Sequence, residues 1–141
     1  MITRRLHHSF LRRKQTMFVM YNPNPNNKRV GDCVIRAISK ALNMPWENVF
    51  IELCICGYMK GDLPSANQIW DGYLKGKGFK RDIVSNDCPE CYTVTDFCRE
   101  HSTGVYVIGT GTHAVAVVDG CYFDTWDSGN ETPIYYYYKG E

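Results

Sequence analysis

Long apolar runs are missing from this chain. No stretch approaches the roughly 18 residues that a membrane-spanning helix requires. The N-terminal segment MITRRLHHSFLRRKQTMFVM also lacks the continuous apolar stretch of a signal peptide. A strong charge of either sign is missing too: 16 basic and 15 acidic side chains leave a formal net charge of +1 over 141 residues. The balance is uneven along the chain. Residues 1–20 carry Arg4, Arg5, Arg12, Arg13 and Lys14 and no acid, so the remainder sums to −4. A mildly acidic body argues against nucleic-acid binding by the folded part. Residues 1–20 read as a basic, disordered arm, or as translation begun ahead of a start at Met17 or Met20. Residues 21–141 read as one domain with one core. No internal repeat is visible.

An even cysteine count is absent as well. Seven cysteines without a secretion signal do not suggest a disulfide framework. Reduced thiols in a cytoplasmic protein are the expectation. Cys54 and Cys56 in LCIC, with Cys88 and Cys91 in CPEC, offer four thiolates for zinc. Positions two apart on a helix do not share a face, so Cys54 and Cys56 make a poor ligand pair and no zinc site is expected.

What is present is a change of period along the chain. YNPNPNN, residues 21–27, has turn composition. It leads into a helix over about 32–42, with Val34, Ile35, Ile38 and Leu42 on one face and Asp32 at the N-cap position. MPWENVFIELCICGYMKG predicts a second helix, opened by Pro45 and ended by Gly57 or Gly61. PSANQIWDGYLKGKGF predicts a third, capped by Ser65. TVTDFCREHSTG predicts a short fourth, where Thr93 and Asp96 have capping-box spacing. After residue 104 the period becomes two. VYVIG, HAVAVVD, CYFDTW and PIYYYYK are four strand candidates. Helices first and an antiparallel sheet last is an α+β arrangement.

Three residues concentrate the chemistry. Cys33 opens the first helix, where unpaired N–H groups and the positive dipole end stabilise a thiolate. A buried filler or a metal ligand would satisfy that position equally. His113 opens an otherwise apolar strand. If Asp119-Gly120 is a two-residue turn, Val118 pairs with Cys121 and the next strand runs back antiparallel. His113, Val115, Tyr122, Asp124 and Trp126 then share a face, and Asp127 falls on the other. Strand parity thus nominates Asp124 as the acid that orients His113. Cysteine, base and orienting acid are the parts of a thiol-based acyl transfer. The Cys33 N–H is a candidate oxyanion donor, and the side-chain amide of Asn27, six residues earlier, is a second.

In that order the residues resemble the papain-like cysteine peptidases. DC before an apolar helix, and HAVAVVDGCYFDTWD, look most like the small branch. That branch contains the bacteriocin-processing peptidase domains of export transporters and related phage and bacterial proteins. The resemblance spans about residues 27–127. It implies a papain-like fold, with N-terminal helices packed on a C-terminal antiparallel sheet. It implies Cys33 as nucleophile, His113 as base and Asp124 as orienting acid, acting on a peptide or protein substrate with no cofactor. The family's oxyanion amide is usually Gln where this chain has Asn27, and its Asp is often followed by Pro where this chain has Thr125. Amidases and acyltransferases use the same triad. A binding or effector protein on this scaffold is the reading from another class.

Overall fold

The computed structural model describes residues 17–85 and 91–139. It is α+β. Among the described residues there are four helices and one mixed sheet of six strands. The helices are α1 (Cys33–Leu42), α2 (Trp46–Lys60), α3 (Asn67–Gly76) and α4 (Val94–Glu100). The strands are β1 (Phe18–Met20), β2 (Phe79–Ile83), β3 (Val105–Gly109), β4 (Ala114–Val118), β5 (Cys121–Asp124) and β6 (Tyr135–Lys139). Their order across the sheet is β1-β5-β4-β3-β6-β2. Only the β1–β5 pair among them is parallel.

Alternation along the strands divides the core into two layers. Val107, Ala114, Ala116 and Tyr137 pack with Ala37 and Ile38 of α1, Val49 and Leu53 of α2, and Ile69, Trp70 and Leu74 of α3. Ile108, Val115, Val117 and Tyr122 pack on the other side with Val94, Phe97 and Cys98 around α4. Ala114 and Ala116 are small and fully covered, which lets α1 lie close against β4. That closeness fixes the start of α1 beside the start of β4.

The hairpin between β4 and β5 has the expected register. Val118 pairs with Cys121, Val117 with Tyr122 and Ala116 with Phe123. Asp119 and Gly120 both have positive φ, 49° and 77°, the mirror-image turn that matches strand twist. Thr93 caps α4 through a complete capping box with Asp96. Asp32 occupies the N-cap of α1 but makes no side-chain cap bond, because its carboxylate is engaged elsewhere.

Two strands correct the sequence reading. The arm assigned to residues 1–20 does not extend through its last residues: Phe18–Met20 pair with Tyr122–Asp124 as β1. Residues 1–16 lie outside the described residues. FKRDI forms β2, where only Phe79 is buried. Its pattern carries no alternation, and the strand owes its existence to pairing with β6. Cys91 is disulfide-bonded, so the expectation of reduced thiols does not hold for it. Cys88 lies outside the described residues. Cys54 and Cys56 are free and half-buried on α2. No helix among the described residues is long and apolar enough to cross a membrane.

Candidate active site

Cys33 is the first residue of α1 and is half-buried. Its side chain reaches the imidazole of His113 and the backbone of Ala114. His113 stands at the mouth of β4, one residue before the strand begins. Its backbone is held by a short turn. The Thr110 N–H donates to the His113 carbonyl at 2.8 Å, and the Thr110 hydroxyl donates to the same oxygen at 3.3 Å. The imidazole Nε2 lies 2.6 Å from Oδ2 of Asp124, the last residue of β5. With Nε2 committed to the carboxylate, Nδ1 is the ring nitrogen left to serve the thiol. Trp126 covers the imidazole at a ring-centroid separation of 5.0 Å.

Asp124 is 1% exposed. Both of its oxygens are supplied with donors. Oδ2 also accepts from the Ser128 hydroxyl at 2.7 Å. Oδ1 accepts from the Thr125 N–H at 2.8 Å and from Arg36 Nη2 at 3.1 Å. A buried carboxylate so fully hydrogen-bonded is pinned in rotation as well as position. Arg36 comes from α1, one turn beyond Cys33, and is itself 5% exposed. Its other guanidinium nitrogen pairs with Asp32, whose second oxygen accepts from Trp46 Nε1 at 2.9 Å. Charges therefore alternate through the interior from Asp32 to Arg36, Asp124, His113 and Cys33.

This alternation sets the protonation states. Burial pushes the Cys33 thiol up. The hydrogen bonds from His113 and from the Ala114 backbone, with the charges of His113 and Arg36, outweigh it, so the thiol lies below its ordinary value. Burial pulls His113 down, but its bonds to Asp124 and Cys33 raise it to about 9. Burial opposes ionisation of Asp124. The bonds from His113 and Ser128 outweigh that and hold it below the usual carboxylate range. The arrangement favours a thiolate–imidazolium pair at neutral pH.

The thiol faces a cleft of about 410 Å³. Gly31 to Ile35 form one side and Thr110 to Ala114 the other. Phe50 and Leu53 of α2, Pro64 and Ser65 of the following loop, Asn67 and Trp70 of α3, and Tyr135 of β6 complete it. Pro64, Ser65 and Asn67 thus place the connection from α2 to α3 at the rim of the cleft.

Cys33, His113 and Asp124 are brought together, and Asn27 is not. Asn27 is exposed, adopts a left-handed backbone with φ 54°, and is absent from the cleft lining. The cause is local. The Asn24 side chain accepts from the N–H groups of Asn26 and Lys28. Asn22 Nδ2 donates to the side-chain Oδ1 of Asn27 at 3.3 Å and to the Lys28 backbone carbonyl at 3.2 Å. The amides of this loop close it on itself. The Cys33 N–H, placed in the first turn of α1 where helical N–H groups have no intrahelical partner, is the other candidate donor and stays beside the thiol. Asp127 accepts from the Tyr122 hydroxyl and from the Gly129 N–H, away from His113.

Sequence reasoning missed Arg36, Asp32 and Ser128 as members of this site. One signal for Arg36 was available: it is a charge on the face of α1 that also carries Cys33 and Ala37. Among the described residues no group of His, Cys, Asp and Glu side chains is placed to hold a metal ion. No family model, no curated protein and no solved structure matches this chain.

Proposed function

We propose that this protein is a thiol hydrolase, a cysteine peptidase with a papain-like arrangement, that cleaves a peptide or isopeptide bond. The observation that carries the reading is the continuous contact from Cys33 through His113 to Asp124 at the wall of an open cleft. In this mechanism the Cys33 thiolate attacks the carbonyl carbon, and the Cys33 N–H holds the oxyanion. The imidazolium gives its proton to the departing amine as the thioester forms. Water then attacks the thioester, passing a proton to His113, and the carboxylic acid leaves with the thiolate restored. Asp124 holds the ring so that Nδ1 faces sulfur throughout. The same steps on a non-peptide amide would describe an amidase, and with an acceptor other than water an acyltransferase.

The test is limiting iodoacetamide at pH 6, with the labelled site read by peptide mass spectrometry, beside hydrolysis of a mixed peptide library. Cys33 should be alkylated far faster than Cys54, Cys56 and Cys121, and Cys33→Ala should abolish cleavage. Uniform slow labelling with no cleavage would overturn the reading and favour a binding or effector protein.

A further inference from the structure

The acid of this site is gripped from the same helix that carries the thiol. Arg36 Nη2 meets Asp124 Oδ1 at 3.1 Å, on the oxygen that His113 does not use. Its Nη1 pairs with Asp32, the residue before Cys33, and approaches the Val30 carbonyl at 3.5 Å. A guanidinium is planar and presents its donors in a fixed fork. Held at both ends, it cannot rotate without breaking an ion pair in the interior. The chain segment carrying the nucleophile and the carboxylate orienting the base are therefore locked to one another by a single side chain. Nothing in acyl-transfer chemistry itself demands this group.

We propose that Arg36 is a positioning residue of this site, clamping Asp124 against His113 while Asp32 balances its charge. The inference rests on the proposed thiol chemistry. The charged groups that face Arg36 are Asp32 ahead of α1, Asp124 at the end of β5, and the His113–Cys33 pair beyond it. Trp46 of α2 meets this set through Asp32. Removing Arg36 alone leaves Asp32 and Asp124 as two buried carboxylates without their shared counter-charge, and Arg36→Met is expected to fold poorly. Asp32→Asn with Arg36→Met removes one charge of each sign, so the buried net charge is the native one.

The test compares the native chain with that double variant. Two quantities are read: the thermal midpoint, and the pH dependence of Cys33 alkylation by iodoacetamide. The double variant should keep a cooperative transition near the native midpoint. The acid limb of its alkylation profile should move up by roughly one pH unit, so that on that limb alkylation at a given pH slows by up to about tenfold. A native acid limb in the folded double variant would overturn the proposal, because Arg36 would then only balance charge. If the double variant did not fold, Arg36→Lys keeps the charge and loses the fork. An upward shift of its limb supports the clamp, and a native limb overturns it. If the native Cys33 labels no faster than Cys54, the nucleophile reading falls first, and the comparison shows that separately.

Discussion

His113 Nε2 lies 2.6 Å from Asp124 Oδ2, although eleven residues and a tight turn separate them in sequence. The contact forms where the sheet ends: His113 stands just before β4, and Asp124 closes β5. At that end the carboxylate is also within reach of α1, which explains how Arg36 can share it. The two acids near this corner should therefore behave differently. On the proposed mechanism, Asp124→Ala leaves Cys33 and His113 in place but frees the imidazole. Loss of the orienting acid in a serine triad costs on the order of 10⁴ in rate. A smaller but still severe loss is expected here, because a thiolate–imidazolium pair depends less on the acid. Asp127→Ala removes acceptors for Tyr122 and Gly129, so it should cost about 1 kcal/mol of stability and little activity. Rates and denaturation midpoints of the two variants check the ranking. Equal losses of rate in two folded variants would make Asp127 a rival acid.

The pH dependence of stability follows from two opposite shifts. His113 is raised from 6.5 to about 9, so its stabilising contribution is complete below 6.5 and is lost as pH rises through about 9. Cys33 is lowered from 9.0, so its contribution is complete above 9.0 and is lost as pH falls through the folded value. Where the folded protein holds the thiolate–imidazolium pair, the unfolded chain above 6.5 holds neutral imidazole and thiol. Both states then bind one proton on the pair, and the two trends cancel. Cys33→Ala removes one of them. Its thermal midpoint should fall as pH rises above 6.5, while the native midpoint changes less. Parallel profiles from pH 6.5 to 9 would show that the two groups do not titrate as a pair.

Much of this site was legible because it depends on local rules. Asp119-Gly120 fixed a two-residue turn, and strand periodicity then aligned His113 with Asp124. Cys33 was legible from the helical pattern behind it. Asn27 was not, because its distance from Cys33 in sequence says nothing of how the Asn22 and Asn24 amides fold the loop. Arg36 and Ser128 approach Asp124 from α1 and from beyond β5, and no periodicity reports such contacts. β1 and β2 were missed for a related reason. Val19 and Met20 of β1, and four of the five residues of β2, are exposed, so edge pairing rather than burial defines them. Val115 and Tyr122 share the parity of His113 and Asp124 but belong to the α4 side of the core. Parity predicts direction within a strand, and at a strand's end the side chain can leave the layer.

The contact between α1 and β4 requires small residues on the strand. Ala116 is completely buried in the cluster that holds Ala37 and Ile38. Ala116→Leu inserts three carbons where α1 lies closest. Overpacking of this kind costs about 1–3 kcal/mol. Relief by outward movement of α1 would carry Cys33 away from His113. Chemical denaturation should show the loss of stability, and Cys33 alkylation at pH 6 should slow in the folded variant. A variant with native stability and native labelling would mean that α1 has room to spare against the sheet.

β1 bears on the site through Asp124. Met20 pairs with Asp124, and the Tyr21 N–H donates to the Asp124 carbonyl at 2.8 Å. The Met17 carbonyl accepts from the Tyr122 N–H at 3.0 Å, and Phe18 packs on the Tyr122 ring at 5.6 Å between centroids. β1 thus covers β5, which would otherwise be the edge strand that presents the acid. Two shortened chains separate this contribution from that of the basic arm. One begins at Met17 and keeps β1; the other begins at Tyr21 and lacks it. The first is expected to melt as the full chain does. The second gives up the ladder bonds and the Phe18 contact, and its midpoint should drop on the order of 5 °C relative to the first. Its β5 is free to fray from the end that holds Asp124, so Cys33 alkylation at pH 6 should slow as well. A lower midpoint with unchanged alkylation would mean that Arg36, Ser128 and Thr125 hold the carboxylate without help from β1. An unchanged midpoint would show that β1 adds nothing to the sheet.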